Sequence, residues 1–271
     1  MNDSKTIMLC ADDFGLNPGI CQGILKLVYK NRLSAVSCMV NQPDFKHHAK
    51  ELAALKGQVH IGMHFNLTQG TFLSPPYNQG YGLKELLIKT HLGFINPLII
   101  AREFQAQLDE FKRLMGFVPD FIDGHQHVHQ FPGIRQVVLQ QYQTHLQQQG
   151  TYIRSTYPAT SLKSYQFKAR ILAWTGGRAL QAMLNAFKIP HNVHFSGIYD
   201  FAKDSNYRSL FCQWLALVPT NTLIMCHPGE GIHNEDDIGP ARFIELNYFL
   251  SDDFLKDCEV YKSVLSTGPK A

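Results

Sequence analysis

Two adjacent carboxylates, Asp12 and Asp13, follow the apolar run at residues 6–11. Side by side at the end of a buried strand they repel each other, and a divalent cation is the simplest offset. The plainer alternative is that one caps the helix after Gly15 while the other is solvated. A second candidate is His64, within Ile61-Gly62-Met63-His64-Phe65-Asn66-Leu67-Thr68. Period-two alternation puts His60, Gly62 and His64 on one face of an extended segment, with Gly62 leaving space there, although a lone strand histidine is often a satisfied core residue. The most specific cluster is Asp123-Gly124-His125-Gln126-His127-Val128-His129, whose imidazoles at i, i+2 and i+4 could share one side of an extended segment. Neutral imidazole is a common metal ligand. One carboxylate with two imidazoles leaves coordination positions open for water and substrate. His227, followed by Pro228-Gly229, closes another apolar run, Thr222–Cys226.

These groups are far apart in the chain, so a regular scaffold must bring them together. Strands are predicted at 6–11, 35–40, 59–65, 121–124, 152–155, 194–198, 222–226 and 259–264, from short apolar runs bounded by turn residues. Helices are predicted between them: 18–30, led by Asn17 as N-cap and Pro18 at the first turn; a stretch after Pro43 ending near Lys56; then 99–115, 133–149, 207–216 and 241–250. A helical region at 163–187 is broken at Gly176-Gly177. Residues 66–97 form a long connection punctuated by Gly and Pro, of the kind that serves a site. Regular alternation implies parallel strands with right-handed crossovers, in an open doubly wound sheet or a closed barrel. Seven or eight repeats favour an α/β single-domain (β/α) barrel over 1–271, TIM-like, distorted or seven-stranded, with a long loop after the third strand. In such a barrel, reactive side chains sit where strands end, and each polar cluster named above falls at such a point.

Composition narrows the partners. The chain has 271 residues, 45% hydrophobic and 17% charged, which suits one ordinary globular core. Its formal charge of +3 comes from scattered Lys and Arg residues, which argues against nucleic acid. No basic-then-apolar leader opens the chain and no apolar run approaches the roughly 20 residues of a membrane span, so a soluble cytoplasmic protein is expected. Six cysteines lie far apart without a CxxC pair and read as reduced, buried thiols.

Five blocks in order resemble the YdjC-like or chitooligosaccharide deacetylase-like carbohydrate deacetylases: Ala11-Asp12-Asp13-Phe14-Gly15-Leu16, Met39-Val40-Asn41 with Pro43, Gly62 to Thr68, Asp123 to His129, and Met225-Cys226-His227-Pro228-Gly229. The resemblance spans most of the chain. It implies Asp13, His64 and His125 as metal ligands, Asp12 as general base and His227 as acid. It departs at residues 155–210, which match loosely, and at Met63 and Phe65, where leucine is common; both bear on specificity. The implied reaction removes the acetyl group from an N-acetyl amino sugar of a small, chitobiose-like carbohydrate, with water activated at the metal, deprotonated by Asp12, and the leaving amine protonated by His227. The resemblance implies one Mg²⁺ per chain, whereas the ligand types also suit Zn²⁺, Co²⁺ or Mn²⁺. Arg154 could hold Asp12 ionised or contact substrate, His127 could bind sugar hydroxyls or orient a ligand, and Asp123 could accept a hydrogen bond from a ligand histidine. Phe72, Tyr77 and Tyr81 in the long loop either stack on a sugar ring or anchor the loop.

Three other readings compete. One is another metal-dependent hydrolase, a phosphoesterase or amidohydrolase, which commonly needs a second metal. Another is a sugar-binding protein without turnover. The third is a deacetylase of a lipid- or nucleotide-linked amino sugar, prompted by the apolar stretch 171–187, which could equally cover the barrel or pair two protomers in a homodimer.

Overall fold

The computed structural model describes residues 4–76, 79–231 and 236–268; Tyr77 lies outside them. Its centre is a curled parallel sheet in the order β5-β4-β3-β2-β1-β7-β6. The strands are β1 (Lys5–Phe14), β2 (Ala35–Cys38), β3 (His60–Phe65), β4 (Phe121–Gly124), β5 (Tyr152–Ile153), β6 (His194–Ser196) and β7 (Thr222–Cys226). Helices α1 (Pro18–Tyr29), α2 (Pro43–Ala53), α3 (Leu83–His91), α4 (Pro97–Met115), α5 (Ile134–His145), α6 (Gln166–Leu172), α7 (Arg178–Ala186), α8 (Tyr207–Leu217), α9 (Gly239–Leu250) and α10 (Asp252–Val260) run between and after the strands. The edges β5 and β6 meet through irregular backbone: Phe195 N donates to Pro158 O at 3.1 Å and Thr160 N to Phe195 O at 2.8 Å. The Asn192 amide, bonded to Ser155 on both its backbone groups, fills the remaining gap. The expected seven-stranded, distorted barrel is therefore present. An eighth strand, β8 (Ser263–Leu265), pairs with the first residues of β1 instead of closing the ring.

Alternation along the strands decides which side chains face inward. Met8, Cys10, Ala35, Phe121, Tyr152, Phe195, Leu223 and Met225 form a compact interior cluster. Their neighbours Ile7, Leu9, Val36, Ile61, Ile122 and Ile224 pack outward in the larger cluster beneath the helices. Continued toward the C-terminal strand ends, the inward row becomes polar: Asp12, Ser37, His64, Asp123 and Arg154, all buried. Gly62 sits in that row. A Cβ there would lie 2.4 Å from the Phe121 ring, which stacks on Tyr152 with centroids 5.2 Å apart. Gly62→Ala is expected to lower the unfolding free energy by about 1–3 kcal/mol through overpacking; an unchanged urea midpoint would show that the ring has room to move.

Helix ends follow the sequence signals. Asn17 accepts from Ile20 N at 2.9 Å before Pro18, and Asn96 caps α4 before Pro97 while Gly116 ends it in the left-handed region. The break at Gly176 is steric: φ is +144°, and a Cβ would meet Gln130 O at 1.9 Å. Two expectations fail. The connection after β3 contains α3, whose apolar spacing is hidden among flanking glycines. Residues 252–260 are helical, with Phe254 buried, so the last strand is confined to Ser263–Leu265. Four cysteines are buried as expected, whereas Cys212 and Cys258 are half-buried.

Candidate active site

Neighbouring residues of a regular strand point to opposite faces, so Asp12 and Asp13 can share a site only if β1 is distorted. It is: the β1–β2 register shifts between Ala11 and Phe14, and Asp13 adopts φ +70°. Such a bulge re-aims one side chain. Asp12 continues the inward row, where Arg154 holds it with two 2.7 Å bonds. Asp13 turns toward the histidines, its Oδ1 lying 2.9 Å from His125 Nδ1 and 3.4 Å from His64 Nε2.

Asp123 ties these halves together. Its Oδ1 accepts from Ser37 Oγ at 2.5 Å and His64 Nδ1 at 2.6 Å, and its Oδ2 lies 2.7 Å from Arg154. Burial would raise the Asp123 carboxyl, but the Arg154 and His64 charges and their hydrogen bonds overcome it and hold it far below the usual range. His64 is pushed the other way: burial lowers it, yet Asp123 and Asp12 carry it up to about 10. In the free protein His64 is thus an imidazolium, with Nδ1 committed to Asp123 and Nε2 facing Asp13 and His125. Asp13 stays well below the usual range because Arg242 and His125 outweigh the desolvation that burial imposes.

Donor atoms of Asp13, His64 and His125 all lie within 4.8 Å of one another in buried surroundings. The carboxylate–imidazole–Nε2 arrangement of Asp123 and His64 is the usual outer support of a histidine ligand, so these residues fit a divalent ion, which would replace the His64 Nε2 proton. A second cluster, Cys10, Asp12 and Asp123, has comparable spacing. It is already filled by a cation, since the Arg154 guanidinium reaches all three, with Cys10 Sγ at 2.8 Å.

The expectation that three histidines share one side of an extended segment is overturned. Residues His125–Gln130 form a 3-10 turn with left-handed φ at Gln126 and His127, which sends the rings in three directions. His125 meets Asp13. His127 lines the cavity wall, its ring 5.9 Å from Phe195. His129 is wholly buried and donates from Nε2 to Arg154 O at 3.1 Å, securing the end of β5. Arg154 is completely buried and its guanidinium is engaged by two carboxylates, which suits it to hold Asp12 and leaves no face of it toward substrate.

The cavity over these groups measures about 320 Å³ and is lined by Asp12, Asp13, His64, His125, His127 and His227, among others. His227 sits at the end of β7, its backbone N–H donating to Glu245 Oε2 at 2.5 Å and its ring edge-on to Phe201 at 5.0 Å. Burial brings its imidazole down to about 4, against the opposing pull of Asp13 and Asp12. Residues missed by sequence reasoning are Arg242 and Asp236: Arg242 donates to Asp13 Oδ2 and to Asp236 Oδ2, each at 2.7 Å. A signal for Arg242 and Glu245 existed. Both fall on the buried face of α9 with Ala241, Leu246 and Phe249, where helical periodicity calls for apolar residues.

The buried histidines set an acid limit on the fold. His129 and His227 are both brought down to about 4 by burial, and His127 is well below its ordinary value for the same reason. A folded-state pKa below the unfolded value near 6.5 gives stability that is present above pH 6.5 and is lost as pH falls toward 4. Glu245, raised by burial to about 7, acts oppositely and gains on acidification. Three wholly buried imidazoles against one carboxylate leave a net of about two protons, to which His60, also lowered by burial, adds in the same direction, so metal-free protein is expected to lose stability between pH 6.5 and 4.5 by about 3 kcal/mol per pH unit at the steepest. A urea midpoint that does not move between pH 7 and 5 would contradict these burial assignments.

A family profile described as YdjC-like protein matches residues 6–260. Curated relatives named chitooligosaccharide deacetylase, from Yersinia pestis (strain Pestoides F) and Yersinia pseudotuberculosis serotype O:1b (strain IP 31758), are 35% identical over 138 residues, covering 49% of this chain and 54% of theirs. The chain thus spans about half the length of the curated relatives it matches. Among solved structures, a protein described as a cellobiose-phosphate cleavage protein from Enterococcus faecalis V583 superposes with TM-score 0.73 at 18% identity over 97% of both chains. A family 4 carbohydrate esterase from Streptomyces lividans, solved with acetate, gives 0.51 at 9% identity, covering 98% of this chain and 97% of that one. These two likenesses concern the fold. The match over residues 6–260, with the Asp-Asp, His64 and His125 blocks gathered in one cavity, places the chain in the YdjC-like family.

Proposed function

We propose that the chain is a metal-dependent carbohydrate N-deacetylase, with Asp13, His64 and His125 as ligands, Asp12 as general base and His227 as acid. The observation that carries this reading is the placement of Asp12, oriented by Arg154, beside an open one-carboxylate, two-histidine donor set within a single cavity. The names of the Yersinia relatives and the acetate held by the Streptomyces esterase support the choice of an acetylated sugar as substrate.

A divalent ion bound there supplies Lewis acidity, which polarises the amide carbonyl and acidifies water. The residues of the chain do the rest. Asp12, fixed by two bonds to Arg154 and unable to swing, presents its carboxylate to the attacking water and accepts its proton. Water adds to the acetyl carbon, the carbon–nitrogen bond breaks, and the amine leaves with a proton from His227. The imidazole rests neutral, so it must be charged within the complex. Asp13 and Asp12, which already pull its pKa upward against burial, are the groups that favour that charge. His127, in the cavity wall with its pKa held down by burial, is the group this reading assigns to a sugar hydroxyl.

A binuclear phosphoesterase reading loses support, because Arg154 occupies the second acidic cluster among the described residues. The reading is tested by offering purified, metal-supplemented protein a panel of N-acetylated sugars and phosphate esters. Acetate and free amine in equal amounts are expected from the sugars alone. Phosphate release without acetate would replace the reading with that of a phosphoesterase.

A further inference from the structure

The catalytic cavity has a neighbour. An apolar channel of about 430 Å³ shares Gln126, His127, Phe201 and Met225 with it and continues outward between α3 and α6, past Leu87, Phe131 and Ile171. A second apolar hollow of about 410 Å³ shares Leu87 and Thr175 with the channel and opens beside Ile88, Leu92 and Trp174. The path ends at side chains left largely in water: Trp174 is 90% exposed, Leu92 61% and Ile88 59%. A sugar ring could stack one face on an aromatic side chain there but would leave its hydroxyls unpaired against the aliphatic walls, whereas a hydrocarbon chain is withdrawn from water along them without that cost.

Charge agrees. From Gly124 to Tyr199 the sequence contains no Asp or Glu, yet it carries Lys163, Lys168, Arg170 and Arg178 on or beside α6 and α7, all exposed. Lys168 itself lines the channel. Arg170 and Arg178 line a separate hollow with Tyr157, so Lys168 is the cation that borders the channel, and no carboxylate among the described residues lines it.

We infer that the channel receives the hydrocarbon part of an amphiphilic substrate whose N-acetylated sugar head occupies the catalytic cavity, making an N-acetyl amino-sugar lipid a tighter-bound substrate than a free oligosaccharide of the same head. The assignment of the head rests on the deacetylase reading; the assignment of the tail rests on the channel alone.

Binding and turnover of methyl and octyl N-acetyl-β-glucosaminide, the octyl compound kept below its micelle concentration, separate the two. Each methylene withdrawn from water is worth about fourfold in affinity (about 0.8 kcal/mol). Partial burial of the octyl chain is expected to tighten binding by at least about tenfold over the methyl glycoside, with a fluorescence shift from Trp174 that Trp174→Phe abolishes; Trp214, the other tryptophan, is fully buried. Ile171→Glu, at a half-exposed position of α6, is expected to remove the chain-length gain while methyl glycoside turnover stays at the wild-type rate. Tighter octyl binding without turnover of either compound would keep the channel assignment and sink the deacetylase reading. Equal affinity for both compounds, or a gain that survives Ile171→Glu, would overturn the proposal. A protein that instead sediments as a dimer with Trp174 already shielded would assign the face to a second copy of the chain, and would overturn it equally.

Discussion

Arg154→Met is expected to lower the unfolding free energy by about 3–5 kcal/mol, the cost of leaving a buried charge without its partner. The side chain is fully buried, with Asp12 and Asp123 each at 2.7 Å, and both carboxylates are buried themselves. Methionine approximates the length and volume of the stem without supplying charge, so the loss reads out electrostatics and not a cavity. The Arg154 charge is the first of the attractions that offset the burial of Asp123, followed by those of His64. Removing the guanidinium therefore also raises that carboxyl and weakens its hold on His64. Urea unfolding at pH 7 with an unchanged m value is the measurement, and a loss below about 1 kcal/mol would mean that water or rearrangement reaches the two acids.

Asp12→Asn is expected to reduce kcat by roughly 10²- to 10⁴-fold, the usual contribution of a positioned proton acceptor, while leaving metal stoichiometry intact. The amide keeps the shape of the carboxylate and one oxygen for Arg154, but it cannot take a proton from water. Asp13, the neighbouring residue, cannot substitute, since the reading assigns its carboxylate to the ion beside His64 and His125. A kcat within about tenfold of wild type, with metal bound, would place the base elsewhere. Steady-state kinetics distinguish loss of chemistry from loss of binding: KM is expected to change little.

How much of this was legible in the chain varies with the range of the interaction that decides it. The strands were readable because each buried apolar run is bounded by turn residues, and β4 and β7 fall at their predicted limits. The inward face of β3 was readable because alternation is a local rule. The sharing of one site by Asp12 and Asp13 was read from charge repulsion, although the device that permits it, a bulge with Asp13 in a left-handed conformation, leaves no mark in the residue types. The histidine turn was misjudged for a related reason: a sequence of alternating imidazoles is compatible with an extended segment, and only packing of the turn against α5 and the Gly176 break selects the 3-10 course. Arg242 was marked as unusual by its place on the apolar face of α9, but its partner was out of reach of local rules, because it meets Asp13 across 229 positions of sequence through the docking of α9. The apolar channel was similarly invisible as a channel, since its walls come from α3, the histidine turn and α6.

The central claim, that Asp13, His64 and His125 hold an ion on which acetyl removal depends, is tested most directly by acetate release from diacetylchitobiose with chelator-stripped protein, metal-restored protein and His64→Ala. Release is expected only from metal-restored wild type, with stripped protein and His64→Ala both silent while remaining folded by circular dichroism. Release that persists after stripping, or that survives His64→Ala at full rate, would contradict the account.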